Sequence, residues 1–554
     1  MKKLLTLGVL LAAWTTAFAC TNFLVGKDAS ADGSTIISYA ADSYSLYGYL
    51  HFSPATDYPE GAMREIINWD NGKPLGAIPQ VPHTYSVVGN TNEHQLTIGE
   101  TTWGGRAELW DTVGIDYGSL IYIALERCKT AREAIECVTS LVRDYGYASE
   151  GETFSFGDPN EVWMMDLIGK GPGEKGAVWV ATRIPDDCIA AHANQARTQG
   201  IPAPTRAAAK KAKKTGVVDM GDVIYSAEII QFARRKGLFT GKDSEFSFQK
   251  TFNPYELSGL LACEARVWSF YRHFSDDMDR YLPFASGQTF IATGGKDAGE
   301  AMPLYIRPNH KVAVQEVKDC MRDQYEGTPL DITQGAASGP WHSKLRYGGL
   351  TFELDSVAYW YQRPIATQQT AWSFVSQMRG DKPAGIFWFG VDDAATSVYV
   401  PVYSCITEVP ECMREGNGDL YTYSPTSAWW AFNLVANKAY EKYERIVPEI
   451  RVLQSAWDDR FNSQVDALDR ETAMLSDADA RKLLTNYSCR QAQEVVQEWK
   501  DLYIYLITKY IDGQERKVEN GQFVRNAYGQ PEMPNRPAIP ETFLRTIAPE
   551  TLHE

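Results

Sequence analysis

Cys20-Thr21-Asn22-Phe23-Leu24-Val25-Gly26-Lys27-Asp28-Ala29-Ser30-Ala31-Asp32-Gly33-Ser34-Thr35-Ile36-Ile37-Ser38-Tyr39-Ala40-Ala41-Asp42 reads as two β-rich runs joined by turn chemistry. Thr21 to Val25 and Thr35 to Tyr39 carry β-branched and aromatic side chains, and Asp28 to Gly33 supplies the Asp, Ser and Gly of a connection. The spacing predicts an antiparallel hairpin whose return strand brings Ala40 to Ser45 opposite Cys20 and sets Asp42 beside it. A turn or capping aspartate is the plainer reading of Asp42 taken alone.

Upstream, Lys2-Lys3, the apolar run Leu4 to Ala13 and the small-x-small triplet Ala17-Phe18-Ala19 form a removable signal peptide over residues 1–19. The apolar run of about ten residues is too short for a bilayer core that needs about 20, so no membrane association is expected after cleavage. Signal peptidase is the implied maturation partner, and the address is exported, periplasmic or extracellular. Cleavage would make Cys20 the first residue. Three explanations then compete: lipid attachment, to which Phe18 is poorly suited; an ordinary disulfide partner; or an N-terminal nucleophile. In the last, an α-amine titrating near ~7.7–8.0 accepts the proton of a thiol titrating near ~8.5, with no distant histidine needed.

The composition narrows the rest. With 554 residues, 44% hydrophobic, 15 Trp, 30 Tyr and 22 Phe, the chain is globular, and a charge of −16 offers no footprint for nucleic acid. The eight histidines include no His-Glu-x-x-His, there is no Gly-x-Ser-x-Gly, and no cofactor or metal is implied. Nine cysteines leave eight once Cys20 is set aside, and Cys405 with Cys412 is the first pair to inspect for a disulfide.

Further hairpins are expected from Thr84 to Val88 with Gln95 to Thr101, from Thr153 to Phe156 with Val162 to Leu167, and from Ala177 to Thr182 with Cys188 to His192. Thr130 to Glu133 is a capping box that starts a helix, with Ala134, Cys137, Val138 and Leu141 on its apolar stripe and Gly146 as its stop. Cys137 reads as core. Met220 to Arg235 and Cys263 to Phe274 look helical, and Arg266 in the latter is a candidate contact for a substrate carboxylate, against the commoner reading of an ion pair. The basic run Lys210 to Lys214 reads as a solvated face. Past about residue 425, Trp429, Phe432, Ala436, Ala439, Tyr443 and Ile446 recur at helical steps, Pro448 interrupts the run, Val465, Leu468 and Met474 continue it, and a second helix covers Gln491 to Tyr510. The last 40 residues, with several prolines, read as a surface tail.

In order along the chain, Cys20-Thr21, Asp32-Gly33-Ser34-Thr35, Asp42-Ser43, Gly89-Asn90-Thr91-Asn92, Ile98-Gly99-Glu100-Thr101-Thr102, Gly151-Glu152-Thr153-Phe154-Ser155, His192-Ala193-Asn194-Gln195-Ala196-Arg197 and Trp388 to Ser397 resemble the PepD-like cysteine dipeptidases of the N-terminal nucleophile hydrolase superfamily. The resemblance implies an α+β fold, a four-layer αββα sandwich over residues 20–425, with a helical region and tail over 426–554 docked on it. It implies hydrolysis of short peptides with Cys20 as nucleophile, Asp42 orienting its amine and Asn194 donating to the oxyanion. Where the family often carries an arginine three residues before the aspartate, this chain has Tyr39. An amidase of the bile-salt hydrolase or penicillin acylase type, and a surface lipoprotein with lipidated Cys20, remain as alternatives. Dipeptide preference and oligomeric state are left open by the sequence.

Overall fold

The computed structural model describes residues 20–550, so the leader Met1 to Ala19 lies outside the described residues. The architecture is α+β and is built on two large antiparallel sheets. In the first, of seven strands, Thr21–Val25 pairs with Thr35–Asp42, and Thr21 faces Ala40 while Val25 faces Ile36. The hairpin read from the sequence is therefore present, with Cys20 one position beyond the Thr21–Ala40 pair. On its outer side Thr35–Asp42 pairs with Thr370–Met378, followed by Ile386–Val391 and Val400–Tyr403. The register shifts between Ala41 and Asp42, a bulge that re-aims Asp42 at the strand's end.

The second sheet has nine strands, centred on Thr97–Trp103, Gly151–Gly157, Val162–Gly169 and Ala177–Ile184. The two sheets approach closely at Gly99, where a Cβ would fall 2.3 Å from Asn22 Oδ1. The absent side chain lets Asn22 Nδ2 donate to the Glu100 carbonyl at 2.6 Å, which fixes the strand under the hairpin. His192, fully buried, links the sheets again through Thr101 Oγ1 and Ser155 Oγ, each at 2.7 Å, and burial drives its pKa far below the usual range.

One expected hairpin is absent. Ala177–Ile184 stays in the nine-stranded sheet, whereas Ile189–His192 pairs with Thr21–Val25 in the other. The chain crosses between sheets at Pro185-Asp186, whose carbonyls lie against Gly26: the Asp186 oxygen accepts from Asp28 and Ala29 N–H, and a Cβ at Gly26 would sit 2.4 Å from it. The edge of the first strand outcompetes the local turn. Likewise Met220 to Arg235 is not one helix. Val223–Ser226 pairs with Val180 to Thr182 on one side and with the edge strand Val217–Asp219 on the other, and only Ile229–Arg235 is helical, because the β-branched and aromatic residues at 223–225 extend the sheet. The hairpin expected at Thr84 to Thr101 is split into short strands, with Asn92 Oδ1 accepting from the N–H of His94 and Leu96 between them.

The helix Ala131–Tyr145 starts and stops as its capping box and Gly146 require: Thr130 accepts from the Glu133 N–H, and Glu133 accepts from the Lys129 N–H. With Tyr117–Arg127 it packs on the nine-stranded sheet. Against the seven-stranded sheet lie Ala265–Arg272, Val314–Met321 and three C-terminal helices, Ala428–Glu441, Tyr443–Thr472 and Asp477–Lys509, whose apolar faces share one core with its strands. The stripe Trp429, Phe432, Ala436, Ala439, Tyr443 and Ile446 is buried throughout. The break falls at Lys442, where φ is −148°, and Pro448 sits inside the next helix close to its start, where few carbonyls miss a donor. The last of these helices begins well ahead of Gln491, and Met474 lies in the exposed link before it. All nine cysteines are free thiols, so Cys405 and Cys412 are not joined. No described helix is long and apolar enough to cross a membrane.

Candidate active site

Cys20 sits at the N-terminal end of its strand, 2% exposed, where the hairpin, the Gly99 contact and the helix around residue 266 converge. Its Sγ donates to Glu100 Oε1 at 3.3 Å, with Tyr39 Oη 3.5 Å away, and the Asp42 backbone N–H points at the sulfur. Burial, then the charges of Glu100 and Asp42, push the thiol pKa well up. The thiol is thus a protonated group in need of an acceptor.

Asp42 is fully buried at the bulge. One carboxylate oxygen accepts from Thr370 Oγ1 at 2.6 Å and the other from Arg363 Nη2 at 2.9 Å. Burial raises its pKa against the pull of the Arg363 cation. Arg363, 321 residues away in sequence, carried no signal beforehand; burial and its neighbour Arg266 lower its own pKa to about 10.

Asn194 follows the strand Ile189–His192 with φ of 57°, a left-handed conformation that asparagine tolerates. Its Nδ2 donates to the Thr102 carbonyl at 2.5 Å, and its Oδ1 accepts from Arg266. Next to it, the Arg197 guanidinium pairs with buried Glu264 at 3.3 Å and donates to the carbonyls of Ala191, Met302, Pro303 and Leu304, locking the loop.

Arg266 corrects an expectation. All five of its N–H groups are engaged: Nε with the Ala262 carbonyl at 2.5 Å, Nη1 with the Cys20 carbonyl at 2.7 Å and Thr21 Oγ1 at 2.8 Å, and Nη2 with the Ala193 carbonyl at 3.3 Å and Asn194 Oδ1 at 2.9 Å. A guanidinium with no donor to spare does not bind a substrate carboxylate; it ties Cys20 to Asn194.

A cavity of about 770 Å³ opens over this cluster, in the range of small-ligand sites, with Thr102, Trp103, Glu150, Asn194, Arg266 and Arg363 in its wall. Among the described residues Glu150 has no side-chain hydrogen bond or ion pair, and burial raises its pKa. A second cavity of about 590 Å³, between Val314–Met321 and Tyr443–Thr472, holds the Arg322–Asp458 ion pair and none of the residues around Cys20. Among the described residues no group of three or more His, Cys, Asp or Glu is placed to hold a metal ion.

The structure brings Cys20, Asp42, Asn194 and Arg266 into one site. Sequence reasoning missed Arg363 and the roles of Tyr39, Glu100 and Glu152, although Glu100 and Glu152 each lay inside a motif. A family model, peptidase family C69, matches residues 19–456. The chain is similar to a probable dipeptidase of Salmonella dublin, 24% identical over 425 residues that cover 73% of this chain and 85% of that protein. It is similar also to a probable dipeptidase of Latilactobacillus sakei, 23% identical over 517 residues, 89% and 95% of the two chains. A dipeptidase of Bifidobacterium longum strain NCC 2705 is 24% identical over 456 residues, 76% of each.

Proposed function

The chain belongs to peptidase family C69, a family of cysteine peptidases, and from that premise we propose that Cys20 is the nucleophile of an exported dipeptidase activated by removal of residues 1–19. It is a cysteine-type dipeptidase by family and by relatives. The observation that supports the nucleophile reading is the setting of Cys20, which follows the cleavage site expected from the sequence: it lies beneath a cavity, with its carbonyl held by the same arginine that orients Asn194. The freed amine, beside Asp42, carries a proton to the leaving amine; Asn194 donates to the oxyanion; water releases the acyl group from the sulfur. While residues 1–19 remain attached, that amine is an amide and cannot act.

The finer fold belongs to the same proposal: the αββα order of the N-terminal nucleophile hydrolases over 20–425, with 426–554 as its docked helical region. The facing of the sheets at Gly99 and the helices on their outer sides support it. The test combines the intact mass of the mature protein, which distinguishes a free Cys20 amine from a lipidated one, with hydrolysis of a panel of unblocked dipeptides and of bile-acid and acyl amides. Release of amino acids from dipeptides by the wild type and none by Cys20→Ala is expected. Equal rates in the two would overturn the assignment.

A further inference from the structure

The thiol of Cys20 points at a carboxylate from the other sheet. Glu100 Oε1 accepts both from Cys20 Sγ at 3.3 Å and from Tyr39 Oη at 2.7 Å. Behind it stands Glu152, hydrogen-bonded to Glu100 and, through Oε2, to Thr102 Oγ1 at 3.0 Å. The pairing of Thr102 with Glu152 across adjacent strands puts both acids on one face. Both are buried, 2% and 0% exposed, and the remaining oxygens, Glu100 Oε2 and Glu152 Oε1, have no other protein donor. Among the described residues no Lys, Arg or His forms an ion pair with either carboxylate. Burial raises the pKa of both acids, and the charge of Glu100 raises that of Glu152 further, so two adjacent carboxyls without a side-chain cation disfavour double ionisation.

Position 39 makes this possible. An arginine there, as in the family pattern, would put a guanidinium against Glu100 and quench its basicity. The phenol of Tyr39 donates one hydrogen bond and leaves the carboxylate able to take a proton.

We propose that Glu100 is a catalytic residue of this enzyme, the acceptor of the Cys20 thiol proton, with Tyr39 and Glu152 positioning it and the α-amine of Cys20 reserved for the leaving group. The proposal rests on Cys20 being the nucleophile. The S–H proton passes to Glu100 as the sulfur bonds to the carbonyl carbon and the carbonyl electron pair moves to oxygen. On collapse the C–N bond breaks, and the leaving nitrogen takes a proton from the Cys20 ammonium, held beside Asp42. Water then adds to the thioester and gives its proton to the amine. The C–S bond breaks, and the sulfur recovers its proton from Glu100.

The experiment compares wild type, Glu100→Gln and Tyr39→Phe as mature proteins. It reads kcat/KM on a dipeptide against pH, the rate of Cys20 alkylation by iodoacetamide against pH, and the melting temperature. Glu100→Gln is expected to lose about 10²- to 10⁴-fold in kcat/KM, the usual worth of a positioned base, while Cys20 alkylates at lower pH because a neighbouring negative charge is gone. A group that merely packs would not make the thiol more acidic and the enzyme slower together. Tyr39→Phe removes a hydrogen bond that favours ionised Glu100, so the acid limb of kcat/KM should move to higher pH. Activity of Glu100→Gln within about threefold of wild type, or an acid limb unmoved in Tyr39→Phe, overturns the proposal. If Glu100→Gln does not fold, the limb in Tyr39→Phe decides by itself. Full activity in Cys20→Ala would instead bring down the nucleophile reading beneath it.

Discussion

At Asp393 a buried carboxylate meets a buried ammonium: Lys344 Nζ lies 2.7 Å from Oδ1, both side chains are fully covered, and Tyr440 Oη donates to Oδ2 at 2.7 Å. At Glu100 an equally buried carboxylate meets a thiol, a phenol and a second carboxyl, and among the described residues no Lys, Arg or His side chain forms an ion pair with it. The first cluster is closed, each charge being matched by one partner and turned away from the large cavity. The second is left short of positive charge next to that cavity's wall. A carboxylate matched by an ammonium has little reason to move a proton; one matched only by neutral donors can accept one. Buried charge serves the fold in one place and is kept reactive in the other.

The comparison breaks most sharply at Cys20, the proposed nucleophile. Cys20→Ala should lower kcat/KM by at least about 10⁴-fold, because among the described residues no other thiol donates to Glu100. Its melting temperature should stay within a few degrees of wild type, since the change deletes one sulfur. Differential scanning calorimetry beside a dipeptide assay checks both, and a large stability loss would mean the reactive cluster also holds the fold together.

The closed cluster should respond in the opposite sense. Lys344→Met leaves Asp393 buried without its cation and should cost about 3–5 kcal/mol of stability, read as a shift in the urea midpoint at neutral pH. Below the unfolding transition its kcat should remain close to wild type. A variant as stable as wild type would show that Tyr440 and the backbone N–H of Ala395 suffice for Asp393.

Much of this division was written locally in the chain, and some was not. The hairpin from Cys20 to Asp42 and the helix after Thr130 were legible because turn residues, strand formers and a capping box lie within a few positions of what they determine. The crossing at Pro185 was misread as a hairpin, since the winning partner of Ile189–His192 is a strand more than 150 residues earlier, and no local signal reports an unfilled edge. The pairing of Arg363 with Asp42 and the meeting of Tyr39, Glu100 and Glu152 were hidden for the same reason. Each acid stood in a quoted motif, but only the closeness allowed by Gly99 reveals that their side chains converge on the thiol.

Arg266 belongs to neither type, for it is a cation that binds mostly carbonyls. Arg266→Lys keeps the charge but offers three donors from one point where five in a planar fork now reach both Cys20 and Asn194. We expect kcat to fall about 100-fold with little change in KM, because the substitution displaces Cys20 and Asn194, the proposed nucleophile and oxyanion donor, relative to each other. A rise in KM at constant kcat would restore Arg266 as a contact for the substrate's carboxylate.

The smallest effect tests whether the closed cluster has a price of its own. Asp392, beside Asp393, is 1% exposed with φ of 65°; its Oδ1 accepts from Asn433 Nδ2 at 2.8 Å, and its Oδ2 has no donor. Burial, and secondarily the neighbouring Asp393 charge, raise its pKa to about 7. An acid whose folded value lies above its unfolded value of about 3.9 binds its proton more tightly in the native state. Its contribution to stability is therefore complete below pH 4 and is lost as the pH climbs through 7. Asparagine accepts the left-handed backbone and never ionises. The gap in stability between Asp392→Asn and wild type should thus move in the variant's favour by on the order of 1–3 kcal/mol between pH 4.5 and pH 8, measured as paired urea midpoints so that every other titrating group cancels. A gap that stays flat with pH would mean that Asp392 is already ionised at the lower pH, and that Lys344 serves both neighbouring carboxylates.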